Sequence, residues 1–195
     1  MRYPKPFQDL IAHFSALPSI GPKMAERLTL YLFKRDEAEI QAFAEALESL
    51  HSLRFCSRCF HIAEDELCSI CADEKRNHTI VCVVEEPLDV IAIERTGNYD
   101  GAYHVLGGLV ESDGTDKRLT IPELLRRVET EGVIEVILAM NPTTEGDSTA
   151  YYLKTKLLST GLKISRIARG LATGGDIEYA DEVTLTASLA NRSQM

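Results

Sequence analysis

Nothing in this chain of 195 residues reads as a membrane segment, since no apolar run approaches the roughly 20 residues that a spanning helix needs. The N-terminus, Met1-Arg2-Tyr3-Pro4-Lys5-Pro6, leads into an amphipathic stretch and not into the apolar core of a secretory leader. The cytoplasm is therefore the expected compartment, with no membrane partner. A Gly-x-x-x-x-Gly-Lys-Ser/Thr loop is missing too, which argues against independent nucleotide hydrolysis. No tract is biased toward one residue, and a composition 45% hydrophobic and 26% charged is that of a globular protein. Basic residues are the scarce class, 21 Lys and Arg against 30 Asp and Glu, for a net charge of −9. That balance excludes indiscriminate binding to nucleic acid, which phosphate neutralisation drives.

The scarcity is uneven. Through Arg35 the bases are Arg2, Lys5, Lys23, Arg27, Lys34 and Arg35 and the acids Asp9 and Glu26, a local net charge of +4 that leaves −13 for the remainder. Any contact with phosphates is expected at this end. A single copy should bind weakly, and oligomerisation or a partner would help by raising the effective concentration of each site.

Phe7, Leu10, Ile11, Phe14 and Leu17 recur at helical spacing, as do Met24, Leu28, Tyr31 and Leu32. They flank Pro18-Ser19-Ile20-Gly21-Pro22, so the pattern predicts a helical hairpin. Gly21 is expected in a conformation closed to other residues, and Pro22 in the first turn of the second helix. Free N–H groups at that start, with Lys23 and Arg27 one turn apart, would hold one phosphate group. A solvated basic face on a core-packing helix fits the bare pattern equally. A third helix is predicted from Asp36 to about Leu53, with Ile40, Phe43, Ala44, Leu47 and Leu50 on one face and five acids elsewhere. It makes a poor DNA surface, and its stripe suits either a monomer core or a second subunit.

Cys56-Ser57-Arg58-Cys59 and Cys68-Ser69-Ile70-Cys71 are two Cys-x-x-Cys pairs separated by Phe60 to Leu67. In a reducing compartment such spacing points to metal and not to disulfides. Four thiolates give zinc a closed tetrahedral shell, so the predicted ion is structural. His61 lies inside the loop and is read as a surface residue. Cys82, in the apolar run Ile80 to Val84, is read as a buried small hydrophobe. The loop carries Glu64, Asp65 and Glu66 with no Lys or Arg, so it should not seek phosphate. The zinc is expected to act as a rigid joint between the basic hairpin and the α/β half of the chain.

From Thr79 strands and helices alternate, predicting a mostly parallel sheet. Strands are expected at Ile80 to Val84, Val133 to Met140 and Leu162 to Ile167. Helices are expected at about Leu88 to Thr96, around Ile121, Leu124, Leu125 and Val128, from Ser148 to Leu158, and near Asp181 to Leu189. A glycine-rich stretch, Gly101 to Gly108, and a polar loop through Asp113 and Gly114 intervene. Glu85 and the segment Asn141 to Asp147 fall at strand C-termini, where functional groups gather. Glu85, Glu145 and Asp147 are therefore candidates for a divalent-metal or partner site, with magnesium as the oxygen-preferring ion. The competing reading has Glu85 capping a strand or pairing with a base, and Asp147 capping the helix that begins at Ser148.

The hairpin Leu17-Pro18-Ser19-Ile20-Gly21 resembles the helix-hairpin-helix motif of sequence-independent DNA-binding proteins, with Ser19 where the motif usually has its first glycine. Glu85, the later glycine pair and the acidic turn resemble the Toprim domain of topoisomerases, primases and related nucleases. Active Toprim members carry an Asp-x-Asp pair where this chain reads Asn141-Pro142-Thr143. Taken in order, the hairpin, the cysteine module, Val83-Val84-Glu85, Tyr103-His104-Val105-Leu106-Gly107-Gly108, Asn141-Pro142-Thr143 and Ile167-Ala168-Arg169-Gly170-Leu171 closely resemble the RecR family of bacterial recombination proteins. Ala172 stands where that family usually has proline. Arg169, Gly170, Gly174 and Gly175 match a stretch sometimes likened to a Walker B segment, read here as an assembly surface.

The resemblance implies a multi-module α/β chain. Residues 1–55 form a helix-hairpin-helix region for DNA binding and oligomerisation, with Gly21, Lys23 and Arg27 on DNA. Residues 56–71 form a four-cysteine zinc finger, 79–174 a Rossmann-like Toprim domain, and 175–195 a C-terminal helical assembly segment. It further implies a non-enzymatic repair factor, a dimer or tetramer ring that clamps single-stranded, duplex or gapped DNA. Such a factor works with RecO and RecF to help load RecA. Two other readings stand beside it, a magnesium-dependent Toprim nuclease or primase-like enzyme and a zinc-stabilised scaffold that binds only proteins.

Overall fold

The computed structural model describes residues 3–110 and 119–193, and the polar loop expected through Asp113 and Gly114 lies outside them. Two units divide the chain, Met1–Ser52 and Leu53–Met195. In the first, α1 (Lys5–Ser15) and α2 (Pro22–Phe33) form the predicted hairpin, and the Phe7 ring meets Phe33 edge-on at 6.2 Å. Ala25 and Thr29 are the buried residues of α2, where small side chains let the helices approach. Helix α3 (Glu37–Ser49) is capped by the Asp36 carboxylate, which accepts from the Glu39 N–H at 2.8 Å. A single 3-10 turn, Leu50–Ser52, replaces the expected last turn of α-helix. None of the α3 residues is buried, so Ile40, Phe43, Leu47 and Leu50 stay exposed.

The hairpin turn differs from expectation in one respect. Gly21 has ordinary extended geometry, φ −79° and ψ 165°. The left-handed residue is Ser19, at φ 64°. Chain reversal needs one positive φ, and it falls two residues earlier than predicted, where a serine accepts a cost of roughly 1 kcal/mol.

The second unit opens with the metal module, the hairpin β1 (Arg54–Phe55) and β2 (Ile62–Ala63) followed by the short helix α4 (Ser69–Ala72). Then come β3 (Asn77–Val84), α5 (Pro87–Glu94), β4 (Gly101–Val105), α6 (Ile121–Thr130), β5 (Glu135–Ala139), α7 (Thr144–Leu157), β6 (Lys163–Arg166) and α8 (Glu182–Ala190). All four long-range strands run parallel in the order β4-β3-β5-β6. The β-branched run of β3 is buried on both faces. Val81 and Val83 meet Leu124, Leu138 and Leu153 on one side, while Cys82 and Val84 meet Val90, Tyr103 and Val105 on the other. Burial pushes the Cys82 thiol up to about 12, so it stays protonated and packs as an apolar group.

Strand β4 was expected only as a glycine-rich stretch. Its burial shows why glycine is tolerated there, because a Cβ on Gly101 would sit 2.3 Å from the Tyr99 Oη and 2.9 Å from the Ile80 carbonyl oxygen. This strand lies at one edge of the sheet, and several of its outward backbone groups find a partner. Arg76 donates to the Gly101 carbonyl at 3.3 Å, Arg127 to the Tyr103 carbonyl at 2.6 Å, and the Val105 N–H to the Cys59 carbonyl at 2.8 Å. Arg127 is 3% exposed and also donates to Glu131, whose carboxylate accepts from Arg58 of the first cysteine knuckle. Burial alone would raise the Glu131 carboxyl, yet Arg58 and Arg127 together hold it below its usual range. The opposite edge, β6, is half-exposed and pairs with no further strand among the described residues.

Phe60 of the metal module packs edge-on against His104 of β4 at 5.4 Å. His104 is fully buried; its Nε2–H donates to the Thr120 carbonyl at 3.0 Å, and its Nδ1 has no partner among the described residues. Burial pushes this imidazole down to about 4.

Two measurements test this frame. Replacing Arg127 with Met strands the Tyr103 carbonyl and should lower unfolding free energy in urea by ~2 kcal/mol. For His104, the unfolded chain takes up a proton below about 6.5 while the folded one resists until about 4. Its contribution is therefore complete above pH 6.5 and lost as pH falls toward 4. The stability of His104→Gln should accordingly fall less steeply than that of the parent between pH 6.5 and 4.5.

Candidate zinc centre and nucleic-acid interface

The two knuckles are built by backbone geometry. The Cys56 N–H donates to the His61 carbonyl at 2.7 Å and the Phe60 N–H to the Cys56 carbonyl at 3.0 Å, a tight turn that puts Phe60 at φ 63°. In the second knuckle Cys68 caps α4, its sulfur accepting from the Cys71 N–H at 3.5 Å. The four sulfurs lie within 4.8 Å of one another and all four residues are buried. Cys59 and Cys68 sulfurs are 3.5 Å apart. Hydrogen bonding between these crowded sulfurs pushes Cys59 up and Cys68 down. Soft sulfur donors in a tetrahedral set suit zinc. His61 stands outside the quartet. With no coordination position left open, such an ion is structural.

On α2, Lys23 and Arg27 are exposed, and neither forms an ion pair among the described residues. The N–H groups of Met24 and Ala25 both return to the Gly21 carbonyl, at 3.0 Å each. What Gly21 supplies is room, since a Cβ there would meet nothing within 4 Å.

The sheet order reverses between β3 and β5, which puts Glu85 and Asn141 at the switch point where ligands bind in open α/β sheets. The Asn141 side-chain amide donates to Glu85 at 3.0 Å. Asp147 is turned toward Arg166 and Arg169, the latter donating at 2.9 Å, and these guanidinium groups, Arg169 first, hold its carboxyl down to about 2. Glu85, Glu145 and Asp147 are not gathered into one cluster, and among the described residues the cysteine quartet is the one group of three or more metal-ligating side chains brought together. The helix expected from Ser148 starts at Thr144, and Thr143, not Asp147, caps it by accepting from the Gly146 N–H at 3.0 Å. A Cβ on Gly146 would stand 2.2 Å from the Asn141 carbonyl oxygen, so this turn needs glycine.

Sequence reading overlooked the Arg58, Glu131 and Arg127 chain and the Arg76, Glu94 and Tyr103 cluster. Arg76 donates to Glu94 at 3.0 Å and the Tyr103 hydroxyl to the same carboxylate at 2.6 Å. Only the Arg127 and Glu131 spacing of four was visible in advance, and it says nothing of Tyr103.

Metal removal supplies the test. Chelation, or Cys56→Ser, should unfold the module and expose the Val105 amide, seen as its accelerated hydrogen exchange, before any change in DNA contact.

Four family models match the chain. They are described as RecR, helix-hairpin-helix over residues 7–51; RecR, four-cysteine zinc finger domain over 53–73; Toprim domain over 79–168; and RecR, C-terminal over 170–193. A protein named Recombination protein RecR from Synechococcus elongatus is 48% identical, with 99% of this chain and 98% of that protein covered. One of the same name from Chloroflexus aggregans is 50% identical over 97% of this chain and 94% of that protein. Another from Staphylococcus aureus is 45% identical over the full length of both. With the helical hairpin, the cysteine quartet and the parallel sheet arranged in the same order, this chain belongs to the RecR family.

Proposed function

We propose that this protein is a cytoplasmic DNA-binding factor of recombinational repair, acting as a ring-like clamp that works with RecO and RecF to help load RecA at gapped DNA. The observation that carries the DNA reading is the basic turn of α2. Lys23 and Arg27 are exposed, free of ion pairs among the described residues and one helical turn apart, beside the open approach left by Gly21. They belong to a stretch of local charge +4 in a chain of −9. A single such turn binds weakly, and a ring puts several on one strand.

Apolar surface supports assembly. Ile40, Phe43, Leu47 and Leu50 of α3 are exposed, as are Ile177, Tyr179, Val183 and Leu189 near the C-terminus. The loop from Arg169 to Gly175 is held by the Leu171 N–H donating to Ser188 at 2.9 Å and by Asn191 donating to the Arg169 carbonyl at 3.1 Å. That bracing would present the C-terminal segment as a formed surface. No catalytic step is assigned, because Glu85 is engaged by Asn141 and Asp147 by two arginines.

Lys23→Ala with Arg27→Ala should weaken binding to a gapped oligonucleotide at least tenfold at low salt and flatten its salt dependence, with the fold unchanged by circular dichroism. Unchanged affinity would remove the hairpin from the interface. Magnesium-dependent nicking that disappears in Glu85→Gln would replace the clamp with an enzyme. A solution mass equal to one chain, with and without gapped DNA, would sink the ring.

A further inference from the structure

A groove beside the cysteine quartet contains none of the residues proposed above to contact DNA. It encloses about 450 Å³, with Leu53, Ile62 and Leu67 as its apolar lining and Cys68 at its wall. Those three side chains are 38 to 44% exposed. Glu64 and Asp65 line the groove, Glu66 comes next in the loop, and among the described residues none of the three forms an ion pair. No Lys or Arg is among the residues that line it. Arg58 is committed to Glu131, and Arg54 is not among the lining residues. A zinc ion adds to the negative field, because four thiolates around one divalent cation leave an excess of anionic charge next to Cys68.

Apolar walls with an uncompensated anionic rim repel phosphate and attract a cation attached to an apolar body. We propose that this groove docks a short segment of a partner protein in which an aliphatic or aromatic anchor is flanked by Lys or Arg. The anchor leaves water against Leu53, Ile62 and Leu67, which supplies affinity. The flanking cations face Glu64 and Asp65, which steer the encounter and reject acidic competitors. The zinc module is then a protein-docking element as well as a brace, and this role is independent of DNA binding by the helical hairpin.

The experiment uses the zinc-loaded full chain and two labelled hexapeptides, Lys-Lys-Leu-Phe-Lys-Arg and Glu-Glu-Leu-Phe-Glu-Glu, followed by anisotropy and by methyl NMR. The basic peptide should bind at least tenfold more tightly at low salt and shift the Ile62 and Leu67 methyls. Glu64→Lys with Asp65→Lys should reverse the preference while zinc content stays the same. If that variant loses zinc, Ile62→Ser serves instead and should weaken the basic peptide at least fivefold. Equal binding of the two peptides, shifts confined to other residues, or indifference to these substitutions would overturn the proposal. So would a DNA oligonucleotide that shifts the same methyls, or methyl shifts on dilution of the protein alone, which would give the groove to a second copy.

Discussion

A backbone bond from the Val105 N–H to the Cys59 carbonyl joins the metal module to the sheet edge, beside the Phe60 contact on His104 and the Arg58 pair with Glu131. An edge strand presents a row of unpaired donors and acceptors that must be covered or blunted. Here the covering is built from three sources. Arg76 comes from the segment leading into β3, Arg127 from α6, and Cys59 from a turn whose shape a bound ion would fix. The Arg127, Glu131 and Arg58 chain then runs back into the same turn, so a metal-dependent loop, a helix and a strand hold one another. The zinc thus stabilises more than the few residues that ligate it.

Charge is partitioned with the same economy. Lys23 and Arg27 face solvent without an ion pair among the described residues, whereas several bases of the second unit are committed to carboxylates of the same unit, Arg76 to Glu94, Arg127 and Arg58 to Glu131, Arg166 and Arg169 to Asp147. The net charge of −9 therefore describes the molecule poorly. What a phosphate or a cationic peptide meets is set by the groups left without an ion pair, which among the described residues include Lys23 and Arg27 on α2 and Glu64 and Asp65 on the cysteine loop.

The legible parts of the sequence were those fixed by local spacing. Two Cys-x-x-Cys pairs announce their quartet, because the knuckle turn itself aims both sulfurs inward. Buried β-branched runs announced β3 and β5, and apolar periodicity announced α1, α2 and α6. Strand β4 was not legible, because its two-sided burial and its edge partners come from residues distant in the chain. Ser19 was missed for a related reason: which residue of a turn takes positive φ depends on how the flanking helices meet, and the glycine drew attention two positions too late. At the switch point, the three carboxylates looked like a cation site in sequence. The Asn141 amide that engages Glu85 and the two arginines that engage Asp147 arrive only with the fold.

The contrast between the two sheet edges has a consequence for how copies of this chain can join. With the Val105 N–H taken by the cysteine turn, the β4 edge offers one donor fewer to a strand from another chain, while β6 has no strand partner beyond β5 among the described residues. The metal module therefore blunts one sheet edge by occupying its backbone, a second use for a turn whose first use is to aim two sulfurs.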